Sequence, residues 1–316
     1  MHVLVLSGGL SAERDVSLRS GRRVAEALRK ERPDWDVTEQ DVDSGLLDVL
    51  NVHRPDCIVP LLHGAVGEDG SLRNLLECLD IPYVGASAAA SRLAFDKPIA
   101  KRLAEDAGIA TPACVAMPQS TFRELGAAAV LDAVTARLGL PIVVKPTKGG
   151  SALGTSIVHQ AADLPAAMVG AFAYGDVVMM ERYVSGTEVT VSVFEREGDL
   201  LALSAVEIVP EGELYDYAAR YTAGTTEFFC PARLTEEQAL AAQALALNIH
   251  LLLGLRHLSR TDMIIDADGV AWFLEVNVAP GMTETSLFPQ ALLAADIPLG
   301  TLTAELVEIA TGLSST

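Results

Sequence analysis

The sequence predicts a mixed α/β and α+β protein that opens on a parallel sheet, and three observations predict it. In the first third, short apolar runs stop at glycine-bearing loops and give way to helix-period segments, the βα unit of an open parallel sheet. In the last third, two-residue alternation and a hairpin turn signal replace that pattern. Half of the 316 residues are hydrophobic and only 21% are charged, so the chain can bury a large core, with material for two or three domains.

Charge and composition remove several classes. With 23 Lys+Arg against 42 Asp+Glu the formal charge is −19, which disfavours non-specific binding to nucleic acid or an anionic membrane. Any phosphate site must therefore be local. The cysteines (Cys57, Cys78, Cys114, Cys230) form no C-x-x-C pair, so neither a zinc site nor a disulfide framework is indicated. The N-terminus has no basic lead of a signal peptide, and the apolar stretch 239–255 is too short and polar to span a bilayer. A soluble cytoplasmic protein is expected.

Taken in order, His2 to Leu6 reads as a strand ending at Ser7-Gly8-Gly9, followed by a helix carrying Val16, Val24, Ala27 and Leu28. Cys57 to Leu62 reads as a second strand ending at His63-Gly64. In open α/β sheets ligands bind beyond the carboxyl ends of the strands, so loops 7–13 and 63–70 are expected to share one crevice. A helix from Ala94 to Ala107, the strand Ile142 to Lys145, a glycine-rich stretch at 148–155 and the strand Val177 to Glu181 form the middle section. Alternation from Glu188 to Phe194, a polar tyrosine-rich stretch at 211–228, a long helix at 235–254, a hairpin and a terminal helix complete the chain.

The hairpin is the most informative segment. Strand-like runs at 261–266 and 270–278 flank Asp268-Gly269, a two-residue turn signal. That turn sets 267 opposite 270, hence Asp262 opposite Glu275 and Arg260 opposite Asn277, with all four on one face. Facing carboxylates repel, and the arrangement makes sense if a hard cation neutralises them, with the Asn277 oxygen as a third ligand. A solvated acidic hairpin face is the plainer alternative.

Lys145 precedes the glycine-rich stretch, whose N–H groups could close over a polyphosphate. Read alone, such a stretch is more often a surface loop. No Walker A, G-x-G-x-x-G, G-x-S-x-G or H-E-x-x-H pattern occurs, and the histidines show no metal-ligand spacing. Glu13 could hold an ammonium or cap the helix that follows, His63 to Gly70 is unusually rich in glycine and acid, and Lys97 reads as a solvated helix lysine.

Together these residues resemble the D-alanine–D-alanine ligase family of the ATP-grasp superfamily. The resemblance runs through Gly8-Gly9-x-Ser11-x-Glu13-Arg14-x-Val16-Ser17, His63-Gly64-x-x-Gly67-Glu68-Asp69-Gly70, Tyr83-Val84-Gly85, Asp96-Lys97, Lys145-Pro146 and Gly150-Ser151-x-x-Gly154. It continues through Tyr215-Asp216-Tyr217, Tyr221, Arg260-x-Asp262, Glu275-x-Asn277 and Pro280-Gly281-Met282-Thr283. It implies an ATP-grasp fold: a Rossmann-like substrate domain at 1–90, a central subdomain at 91–184, and a C-terminal subdomain at 185–316 with the metal and catalytic residues.

The resemblance also implies the chemistry: ATP-dependent joining of two D-alanines through an acyl phosphate, for peptidoglycan precursor synthesis. Lys97, Lys145 and the loop around Ser151 would meet the phosphates, Arg220 would stand where the family has a lid lysine of the cofactor site, Glu181, Tyr183 and Val184 would line the adenine slot, and Glu188 would take the ribose hydroxyls. Asp262, Glu275 and Asn277 would hold Mg²⁺, or Mn²⁺ in its place. Arg260 and the Gly281 N–H would stabilise the oxyanion, with Ser286 near the second substrate's carboxylate. Glu13 would hold the first ammonium and form a hydrogen-bonded set with Ser151 and Tyr221. The implied partners are ATP and D-amino acids, with no nucleic acid or membrane; a homodimer is left open. The chain departs from the family pattern at Arg73-Asn74 (usually Gln-Gly), Ala86-Ser87 (Ser-Gly), Phe95 (Met), Arg220 (Lys), Ser259 (Gly or Ala) and Val278 (Thr). The alternative is therefore an ATP-grasp carboxylate–amine ligase of specialised metabolism using another D-amino acid or a hydroxy acid.

Overall fold

The computed structural model describes residues 1–216, 219, 220, 222 and 224–313. Three sheets follow one another along the chain. The first is parallel, in the order β2-β1-β3, from β1 (His2–Ser7), β2 (Asp36–Asp41) and β3 (Cys57–Pro60). Its centre is β1, whose Val3, Val5 and Leu6 are fully buried, while β2 is a charged edge strand whose polar sequence gave no strand signal. The helix α1 (Arg14–Glu31) covers one face; Ser17 on it accepts from Gly8 N at 2.8 Å and donates to Leu61 O at 2.6 Å, fixing both loop starts.

The second sheet is antiparallel, in the order β4-β7-β5-β6: β4 (Cys114–Pro118), β5 (Ile142–Pro146), β6 (Ser156–Val158) and β7 (Val177–Arg182). Its core joins Ile142, Val144, Val158, Val178 and Met180 to α8 (Ala127–Leu138) and α9 (Leu164–Phe172). The third sheet runs β11-β10-β8-β12-β13, with β9 also on β8. It comprises β8 (Thr187–Arg196), β9 (Asp199–Ala202), β10 (Val206–Pro210), β11 (Thr226–Phe229), β12 (Leu258–Ile265) and β13 (Ala271–Asn277). The helix Glu236–Leu252 packs on it behind a Thr235/Gln238 capping box.

Two features of the sequence reading are corrected. The helix expected over Ala94–Ala107 is two helices, α5 (Ala88–Phe95) and α6 (Lys97–Asp106), broken at Asp96. Asp96 caps α6 by accepting from Ile99 N, and Pro98 fits only that first turn. The hairpin turn is also one residue longer than expected. Asp266 and Val270 close a loop over 267–269, with Asp266 N donating to Val270 O at 3.0 Å and Gly269 at φ +82°. Ile265 therefore faces Ala271, one residue out of the expected register. A β-bulge between Asp262 and Met263, opposite Leu274, removes that offset: Asp262 faces Glu275 and Arg260 faces Asn277, as expected.

One tie between the N-terminal unit and the third sheet runs through Gly85. Gly85 donates its N–H to His257 Nδ1 and accepts at its carbonyl from Arg256 Nε, both at 2.8 Å. His257 holds φ +65°, a conformation L side chains rarely adopt. Burial, helped by Arg256, pushes the His257 imidazole down to about 4. A group depressed in the folded state from 6.5 loses its stabilising contribution as pH falls from about 6.5 to about 4. His257→Gly, which removes both the imidazole and the unfavourable φ, is expected to flatten the fall in unfolding temperature across that window. Thermal unfolding at several pH values checks it; an unchanged pH slope would contradict the neutral-acceptor role.

Candidate active site

A cleft of about 440 Å³ lies between the second and third sheets and opens into a smaller pocket of about 100 Å³ against the first. Lys97, Glu275, Tyr215, Arg220, Gly149 and Gly150 line both, so the two cavities meet at the Lys97/Glu275 pair. Loops 7–13 and 63–70 do share a crevice: Glu13, His63 and Glu68 all line the small pocket.

Lys145, Glu181, Tyr183, Val184 and Glu188 line the large cleft. Glu181 is 2% exposed and its carboxylate lies between two ammonium groups, Lys145 Nζ at 2.5 Å and Lys101 Nζ at 2.8 Å. Burial pushes Glu181 up, but the two lysines outweigh it and hold it below the usual range. Of the two lysines only Lys145 lines the cleft, while burial pushes the Lys101 ammonium down. Lys101 was invisible in the sequence because its partner lies 80 residues away on another element. Glu188 is pushed up to about 7, chiefly by burial, with Asp262 and Glu275 adding to it against Arg220. Leu274, the bulge residue, lines the cleft beside Glu275, because a bulge turns two successive side chains toward one side.

Lys97 is not the solvated lysine its position suggested. It is buried, donating to Gly149 O at 2.8 Å and pairing with Glu275 Oε2 at 3.1 Å, so it joins the glycine loop to the hairpin. Glu275 is held down at about 2, since Lys97, Lys145 and Arg220 overcome the upward push of burial. Arg220 stacks over the Tyr215 ring at 4.3 Å and donates to Tyr215 O.

The facing carboxylates of the hairpin are each met by a cation of the protein. Asp262 takes Arg260 Nε at 2.8 Å and Nη2 at 2.9 Å, and accepts from Thr190 Oγ1 at 2.7 Å. Asn277 Oδ1 accepts from Ala279 N. Among the described residues no three His, Cys, Asp or Glu side chains converge. Two carboxylates and an amide oxygen on one ribbon are nevertheless the hard donors that suit Mg²⁺ held largely by phosphate oxygens.

In the small pocket, Glu13 occupies the position before α1 without capping it, and accepts a hydrogen bond from Ser151 Oγ of the glycine loop. Tyr221, the third member of that set in the sequence reading, lies outside the described residues. Ser286 precedes the helix Leu287–Ala294 and accepts from Thr283 N at 3.1 Å. A Cβ on Gly281 would meet Ser286 Oγ at 2.8 Å, so glycine lets this backbone approach the pocket. His63 Nδ1 faces Ala279 O at 3.0 Å, which makes it the donor, and its buried Nε2 has no hydrogen-bond partner among the described residues. Burial pushes Glu68 up to about 7, with Glu13 adding to it.

Family models described as D-ala D-ala ligase C-terminus and N-terminus match residues 103–308 and 36–86. The D-alanine–D-alanine ligase of Pelotomaculum thermopropionicum is 39% identical over 98% of this chain and 96% of its own length. That of Anaeromyxobacter sp. (strain Fw109-5) is 44% identical over 91% of this chain and 90% of its own. The crystal structure of the Bacillus anthracis ligase complexed with ATP is 29% identical, covers 99% of this chain and 97% of its own, and superposes with a TM-score of 0.81. With its motifs in order and the cleft assembled from all three sheets, the chain belongs to the D-alanine–D-alanine ligase family.

Proposed function

We propose that this protein is an ATP-dependent ligase that joins two D-alanines to D-alanyl-D-alanine, a step in supplying peptidoglycan precursors. The observation that carries the reading is the junction of the two cavities. A large cleft lined by Lys145 and Glu188 meets a small one lined by Glu13 and Arg260 at the Lys97/Glu275 pair, an arrangement that would bring a triphosphate and an amino acid carboxylate to one point. Residues 1–90, 91–184 and 185–316 are the units we assign to substrate binding, to a central ATP-grasp subdomain and to a C-terminal ATP-grasp subdomain with the metal and catalytic residues. All four cysteines are free, which suits a reducing cytoplasm.

In the first step a carboxylate oxygen of one D-alanine attacks the γ-phosphorus of ATP, and ADP leaves. Lys97, Lys145 and Arg220 face the phosphates, and Tyr183, Val184 and Glu188 hold the nucleoside. Glu13, kept in place by Ser151, holds the first ammonium. In the second step the free amine of another D-alanine attacks the acyl carbon and phosphate departs. Arg260, oriented by Asp262, and the Gly281 N–H stabilise the oxyanion, while Ser286 receives the second carboxylate. Asp262, Glu275 and Asn277 would hold Mg²⁺, or Mn²⁺, which offsets charge on the transferring phosphoryl group.

Incubation with ATP, Mg²⁺ and a mixed pool of D-amino and D-hydroxy acids, followed by mass spectrometry, tests the assignment. D-Alanyl-D-alanine is expected as the main product. ADP formation with none of the D-amino acids would reject the ligase reading, and a different main product would reject the substrate.

A further inference from the structure

Arg73 on α4 (Ser71–Cys78), one of the departures from the family pattern, is 1% exposed. Its Nη1 donates to Gly67 O, its Nη2 lies 3.4 Å from Val278 O, and its buried Nε has no hydrogen-bond partner among the described residues. No ion pair to a carboxylate is formed by this guanidinium among the described residues, although Glu68 and Asp69 lie close enough to attract it. Buried cations without a bonded counter-charge are costly, so mere filling of space is a poor account of it.

The carbonyl it reaches supplies a better one. Residues 278–283 leave the catalytic hairpin and carry Gly281, and the N-terminal unit grips them repeatedly. His63 takes the Ala279 carbonyl at 3.0 Å, Ser20 Oγ accepts from Met282 N at 3.0 Å, and Arg23 donates to Met282 O and Thr283 O at 2.8 Å. Arg73 and His63 thus hold consecutive carbonyls, 278 and 279, from one segment of the first unit. The other end of Arg73 holds Gly67, in the loop that also contains His63 and Glu68. Gly85, at φ +111°, packs beside the guanidinium: a Cβ there would lie in ordinary contact, 3.5 Å from Nη2.

We infer that Arg73 is a positioning residue, which clamps the exit of the catalytic hairpin to the 63–70 loop and so fixes the Gly281 N–H against the reacting carbonyl. The inference rests on the ligase reading only for its kinetic consequence; the clamp itself is measurable without turnover.

Arg73→Met keeps the length and removes every donor, and Arg73→Gln restores one. In Arg73→Met, hydrogen exchange is expected to speed up in peptides covering 278–283 and to stay unchanged in β5 and β7, with ADP affinity at the wild-type value. The kcat for dipeptide formation should fall about ten-fold, equivalent to one modest transition-state interaction, with KM for ATP unchanged. Arg73→Gln should recover part of both losses. Wild-type exchange over 278–283 in Arg73→Met would overturn the clamp whatever the activity. Faster exchange with a wild-type kcat would overturn its catalytic purpose. Should Arg73→Met fail to fold, the same two readouts on Arg73→Gln decide. An inactive wild type with Arg73-dependent exchange would instead count against the ligase reading alone.

Discussion

Replacing Arg260 with lysine is expected to lower kcat about 10²–10³-fold, the usual effect of deleting one oxyanion donor. Arg260 is 7% exposed, lines the small pocket and is locked by two bonds to Asp262. Lysine retains the charge, so Asp262 is not stranded in the interior, but it cannot reproduce the two-pronged guanidinium geometry. ADP affinity should hold, because Arg260 is not among the side chains lining the nucleotide cleft. Steady-state ADP release against D-alanine concentration, paired with calorimetric ADP binding, reads both. A rise in KM with kcat intact would show that Arg260 serves ground-state binding instead.

Glu275→Gln is expected to have the larger effect, reducing turnover at least about 10³-fold, or about 4 kcal/mol in the barrier. Glu275 is the only side chain among the described residues that pairs with Lys97 across the junction of the two cavities. Gln preserves the volume, yet it removes the negative charge that Lys97, Lys145 and Arg220 hold ionised. Lys97 would then lose its counter-ion while still donating to Gly149 O, so the glycine loop should sit less firmly over the phosphates. Near-wild-type turnover in a folded Glu275→Gln protein would remove the acidic ribbon from the mechanism.

The ribbon was legible in the sequence, for a partly wrong reason. Alternation and the Asp-Gly signal placed Asp262 opposite Glu275, but the turn is one residue longer, and only the bulge opposite Leu274 brings the pairing back. A bulge inside a strand leaves no composition signal, so local reasoning could reach the right pair without seeing the two displacements that cancel. The break at Asp96 was readable, since Pro98 belongs in a first turn. Lys101, Thr190 and Arg73 were not. Each acts on a partner far away in the chain, at Glu181, Asp262 and Val278, and a helix lysine or a strand threonine looks the same with or without it. The order of the motifs carried the identity, while the three sheets and their shared cleft carried the chemistry.

Tracing a carboxylate oxygen tests the central claim most directly. D-Alanine labelled with ¹⁸O in its carboxyl group, ligated with unlabelled ATP, should yield ADP and inorganic phosphate carrying one ¹⁸O per turnover, because the oxygen that attacks phosphorus leaves with it. Unlabelled phosphate, or AMP and pyrophosphate in place of ADP, would contradict the account.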